Sequence, residues 1–190
     1  MRVFKRKGKV NSMNLETEYL RIVVGRFKSI KDLGDKAIEQ LSEDDIHWTL
    51  NEESNSVAVI VKHMSGNMIS RWTDFLYSDG EKPNREREQE FSDTLSSVTE
   101  MKEILDKGWN TLFGALGHLN GEDLLRTVSI RGESHMVLEA IERQLAHYAY
   151  HIGQIVYIGK QIKKKSWKSL SIPKGQSDAY LEQMLKKHQS

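Results

Sequence analysis

Only two prolines, Pro83 and Pro173, interrupt the 190 residues of this chain. Proline breaks a helix interior, so its scarcity leaves long stretches free to stay helical and argues against many short strands. Four such stretches carry apolar residues at helical spacing. The first, Asn14 to Leu41, places Leu15, Tyr19, Ile22, Phe27, Ile30 and Ile38 in register behind Asn14, which suits an N-cap. Ser56 caps a second, to about Tyr77, with Val57, Ile60, Met64, Met68, Trp72 and Phe75 on one face. A third runs from Leu95 through Trp109 to Leu119 and stops at Asn120-Gly121. The fourth takes Ser134 as its cap and reaches Ile162, with Val137, Ile141, Tyr148, Ile152 and Ile155 facing inward. A short fifth, Ser177 to Lys187, presents Tyr180, Leu181, Met184 and Leu185. The predicted fold is all-α, a four-helix bundle with a short C-terminal helix, in one domain over residues 13–190.

Between these helices the sequence reads as punctuation. Asp79 to Asn84 is a turn, and the charged run after it (REREQE) reads as a solvated loop. Thr127 to Ile130 alternates as a short extended segment does, Arg131-Gly132-Glu133 makes a turn, and Trp167 to Gly175 is a loop. Residues 1–12 hold five lysines and arginines but no apolar core, so they are expected to be a disordered basic extension rather than a secretory signal.

Composition removes several classes of chemistry. The chain has no cysteine, which excludes disulfides, thiolate zinc sites, iron–sulfur clusters and a cysteine nucleophile. No apolar run approaches the roughly 18 residues of a membrane span, so no membrane partner is expected. A net charge of +1 supplies no general attraction to nucleic acid. The run Lys163-Lys164-Lys165 sits where cations suit the C-terminal end of the helix dipole, a better account than a nucleic-acid patch. A phosphate-binding glycine loop, a GxSxG elbow and a paired-carboxylate pattern are all missing from the sequence.

The chemistry concentrates in AHYAYHIGQIVYIGK, Ala146 to Lys160. His147 and His151 are four residues apart, which at about 3.6 residues per turn stacks them on one helix face roughly 6 Å apart. Both fall on one flank of the apolar face centred on Tyr148. In the second helix His63, with Asn67 four residues on, holds the same relation to its own apolar face. Three neutral imidazoles can hold a divalent ion (zinc, nickel, manganese or iron) and leave positions open for water or substrate. The candidate metal ligands are therefore His63, His147 and His151. Asn67 and Gln144, near the same flanks, are candidates to orient a ligand or substrate. The competing account of all five is polar residues at a core boundary. Tyr148 and Trp72 read as core. His135 falls on a different face, and His47, His118 and His188 lie in loops or tails.

These residues resemble the DinB-like superfamily, which includes thiol transferases built as four-helix bundles. Besides the three histidines, the resemblance is carried by KHMSGNMISRWTDFL (Lys62 to Leu76), DGEKPNRERE (Asp79 to Glu88), IRGESH (Ile130 to His135), HYAYHIGQIVY (His147 to Tyr157) and WKSLSIPKG (Trp167 to Gly175). It covers about Met13 to Leu185 and points to a branch without an assigned activity. It implies an up-up-down-down bundle, commonly a homodimer, with one divalent metal on His63, His147 and His151. Some members transfer bacillithiol, mycothiol or glutathione to an electrophile, or isomerise with such a thiol. The resemblance thus implies a cytoplasmic, metal-dependent transferase using a low-molecular-weight thiol. The other reading is a non-enzymatic dimeric helical module whose metal, if any, is structural.

Overall fold

The computed structural model describes residues 14–188; the basic extension expected at residues 1–12 lies outside them. The chain is mostly helical. Helix α1 spans Leu15–Ile38, α2 Val57–Trp72, α3 Val98–Gly117, α4 Val137–Lys163 and α5 Ser177–His188. Strands β1 (Thr127–Ile130) and β2 (Glu133–Met136) form an antiparallel hairpin just before α4.

The caps follow the sequence closely at two helices. Asn14 Oδ1 accepts from the Glu16 N–H, and Ser56 Oγ accepts from the Val59 N–H. Several helix boundaries differ from expectation: α1 ends at Ile38 rather than Leu41, and α3 ends at Gly117, with Asn120 capping the 3-10 turn Gly121–Leu125 instead of closing α3. Helix α2 stops at Trp72, because Asp74 takes a positive φ of 48° that no helix accommodates. Helix α3 begins at Val98 behind a capping Ser97, leaving Leu95 buried but outside the helix. Helix α4 begins at Val137, and Ser134 does not cap it. Ser134 lies in β2, paired with Ser129, and the helix starts after Met136 with no side-chain cap.

Helix α2 packs chiefly on α3 and α1 chiefly on α4, while α2 also meets α4 and α1 meets α3. A single core runs through them, with Phe27, Met64, Trp72, Trp109, Leu112, Tyr148 and Ile155 at its centre. Helices α1 and α4 come together at Gly34, where an added Cβ would lie 2.6 Å from Ile152. That contact seats the middle of α4, one residue from His151. Helix α5 differs: none of its residues is buried, and Tyr180, Leu181 and Leu185 are exposed. Lys163 pairs with Asp45, so the basic run at the end of α4 is partly engaged within the chain. Among the described residues, no helix is long and apolar enough to cross a membrane.

Candidate metal centre

Helix α2 is buried on nearly every side, so a histidine in its middle has nowhere to go but inward. His63 is 8 % exposed. Helix α4 is buried along one stripe, and His147 and His151 lie half-buried on its edge, on either side of fully buried Tyr148. Where the two helices meet, ring centroids are 5.5 Å apart for His63 and His147, and 5.0 Å for His63 and His151. One nitrogen from each ring lies within 4.8 Å of the other two. This is the one group of three or more possible metal-ligating side chains of that kind among the described residues.

Two of the rings have fixed roles for their nitrogens. His63 Nδ1 lies 3.0 Å from Glu90 Oε2, and His151 Nδ1 lies 2.8 Å from Gln154 Oε1. Acceptors at Nδ1 hold the proton there and leave Nε2 with its lone pair free, the tautomer a metal needs. His151 Nε2 and His147 Nε2 stand 3.0 Å apart. Burial, reinforced by repulsion from His151 and His63, pushes the His147 pKa down to about 3. Burial lowers that of His151 as well, against a hydrogen bond to Gln154 that raises it. Ring nitrogens so gathered are donors of the kind that a divalent ion accepting imidazole takes, and the set fits one.

Glu90 is the residue that the sequence pattern hid. The run Arg85 to Glu90 is not simply a solvated loop: Arg87 and Glu88 are exposed, but the side chains of Arg85 and Glu90 are 4 % and 8 % exposed. Arg85 donates from Nε and Nη2 to the two Glu90 oxygens, both at 2.7 Å, and from Nη1 to Glu81 at 3.2 Å. Burial pushes the Glu90 carboxyl up, yet the hydrogen bonds and charges of His63 and Arg85 outweigh it and hold its pKa below the ordinary value. Phe91 then stacks on His63 at 5.1 Å. The one trace in the sequence is Gly66, three residues beyond His63. A Cβ there would stand 2.3 Å from Glu90 Oε1, so the bare backbone is what lets the carboxylate reach the histidine.

The other named residues separate. Asn67 is buried and accepts at 3.0 Å from the Tyr148 hydroxyl, which in turn accepts from Trp72 Nε1 at 3.1 Å. Tyr148 and Trp72 are core, as their spacing predicts. Gln144 is buried, and its Oε1 has no hydrogen-bond partner. Both Asn67 and Gln144 line a cavity of about 210 Å³ that reaches His63 and His147. On the other flank, Tyr150 packs at 4.8 Å from His151, and with Gln154, Tyr157 and Trp48 it lines a larger cavity of about 630 Å³. His135 is buried away from the cluster, between Glu133 and Glu139.

Comparison with protein families gives a match over residues 14–176, which includes all three histidines, Glu90 and both cavities, to a family described as protein of unknown function (DUF1572). Searches of curated proteins and of solved structures gave no match. The match takes in α1 to α4 entire, and on that extent the chain belongs to the DUF1572 family.

Proposed function

We propose that this protein is a DinB-like, up-up-down-down four-helix bundle that holds one divalent metal ion on His63, His147 and His151. In this reading it is a cytoplasmic homodimer that transfers a low-molecular-weight thiol onto an electrophile. The observation that carries the metal site is the convergence of three imidazoles, two of them with Nδ1 already engaged by Glu90 and Gln154. A divalent ion bound there lowers the pKa of a coordinated thiol or water, which makes a nucleophile available near neutral pH.

The chain's own residues do the rest of the work. Glu90, clamped by Arg85, fixes the ring of His63, and Gln154 fixes that of His151. The thiol must come from outside, since the chain has no cysteine of its own. The cavity lined by His63 and His147 gives a small molecule an approach to the cluster, and it counts against a closed structural metal in a non-enzymatic module.

The test is metal analysis of untagged protein, followed by the same measurement on His151→Ala. The expected result is one equivalent of metal in the wild type and little in the variant, with helical circular dichroism retained. A wild type that neither carries nor takes up metal overturns the proposal.

A further inference from the structure

The cavity that reaches His63 and His147 is lined chiefly by arginine. Five of its nine lining residues are arginines, and none is a carboxylate. They come from four places: Arg71 from the end of α2, Arg85 and Arg87 from the segment after it, Arg131 from the hairpin turn, and Arg143 from α4. Carboxylates behind the wall answer only some of this charge. Glu81 pairs with Arg85 and Arg131, and Glu90 pairs with Arg85. Arg87 lies over the Phe91 ring at 5.7 Å.

Arg71 is the exception that needs an explanation. It is 3 % exposed, its Nε and Nη1 have no hydrogen-bond partner, and among the described residues no carboxylate lies within ion-pair distance of it. Bare backbone walls it in, since a Cβ at Gly80 would stand 2.6 Å from Nη1. Burial lowers its pKa, against attraction from Tyr148 and Glu81, while Arg85 and Arg131 add smaller repulsions. A buried guanidinium without a partner is costly, and an acceptor brought by a ligand would relieve that cost. The planar fork of arginine matches the paired oxygens of a carboxylate or phosphate.

We propose that this cavity is a binding site for the oxyanion group of a small molecule, a carboxylate or a phosphate, with buried Arg71 as its anchor. Arg143 and Arg87 flank the anion at the mouth, and Gln144 offers its amide from α4. A cavity of about 210 Å³ corresponds to roughly seven water volumes, room for the charged group and a few more atoms. Because the same cavity is walled by His63 and His147, the acidic group belongs to the molecule that the histidine centre acts on. That last step rests on the metal reading; the anion site itself rests on Arg71 and the lining.

The experiment is titration of the full-length protein with inorganic phosphate, with succinate and with uncharged ethylene glycol, followed by calorimetry and amide chemical shifts. It is run after chelation and again with one equivalent of zinc. The expected result is saturable binding of at least one anion and none of the glycol, with the tighter anion naming the head group. Arg71→Gln is expected to weaken that binding by about tenfold to a hundredfold, the worth of hydrogen bonds to a charged group. The double variant Arg87→Gln/Arg143→Gln, which alters exposed side chains, weakens it less and keeps the proposal testable if Arg71→Gln does not fold. Absence of saturable anion binding, or binding that all these variants retain at wild-type strength, overturns the proposal. Anion binding by a protein that takes up no zinc leaves the cavity standing and removes the metal reading; zinc uptake without an anion site does the reverse.

Discussion

His63, His147 and His151 stand on a wall made by α2 and α4, while the segment from Asp79 to Phe91 and the hairpin turn at Arg131–Gly132 close against them. The helical wall is held by apolar burial: Phe27, Trp72, Trp109 and Tyr148 pack ring against ring behind the histidines. The closing wall is held by charge and hydrogen bonds, through Glu90, Arg85, Glu81, Arg131 and Asp79. The two walls therefore fail in different ways. Loss of packing is felt by the whole domain, because the core is shared, whereas loss of a charge in the closing wall is felt first at the site.

The largest effect is expected on the helical side. Phe27 is fully buried against Trp72 and Tyr148, and Phe27→Ala should destabilise the protein by about 3–5 kcal/mol in urea unfolding. Zinc stoichiometry of the folded fraction should not change. A large loss of metal with little loss of stability would mean that the core and the centre are coupled more tightly than this division allows.

Glu90→Gln attacks the closing wall and should give the opposite signature. Removing the charge that holds His63 and answers Arg85 is expected to weaken metal binding by about 10–100-fold, as loss of a partner behind a metal ligand does. Competition against a chelator measures it. Unchanged affinity with lowered stability would reduce Glu90 to a counter-ion of Arg85.

Tyr148→Phe tests the seam between α2 and α4 inside the helical wall. It leaves Trp72 Nε1 and Asn67 Oδ1 buried without the hydroxyl that joins them, a cost of about 1–3 kcal/mol. Thermal unfolding of the variant reads this directly, and the expected change in metal binding is small, since neither partner touches a histidine ring through that bond.

The same division explains what could be read from the sequence. A helical wall writes itself as a period: the spacing of Val57, Ile60, Met64 and Met68 fixes the face of α2, and His63 is then placed by arithmetic. That His63 and the α4 pair meet follows only once the helices pack. The closing wall has no period. Arg85 and Glu90 are five apart in a run of charges that also contains exposed Arg87 and Glu88, and nothing in composition distinguishes the buried pair. The hairpin was half legible, as an extended segment and a turn, but its second strand was hidden. Glu133 to Met136 leads straight into α4, so Ser134 looks like a cap until its pairing with Ser129 is seen. Arg71 was hidden for a simpler reason: at the end of α2 an arginine ordinarily suits the helix dipole and points to water.

The smallest expected effect concerns the turn that carries Arg131 to the cavity. Arg131 and Gly132 both take positive φ, 58° and 77°, the geometry of a tight hairpin turn. Asp79 holds that turn, accepting from Ser129 Oγ at 2.5 Å and from the N–H groups of Glu81, Gly132 and Arg131 at 2.7–2.8 Å. These bonds, Ser129 first, hold the Asp79 pKa far below the usual carboxylate range. A depressed folded pKa means that the unfolded chain takes up the proton more readily. The contribution is therefore complete above the ordinary carboxylate pKa of about 3.9 and is lost as pH falls below it toward the folded value. Asp79→Asn should cost about 1 kcal/mol at neutral pH, and the gap to wild type should narrow as urea unfolding is repeated down to roughly pH 3. A gap that stays constant through that range would show that Asp79 serves as a plain acceptor, and that its charge does nothing to keep Arg131 in place.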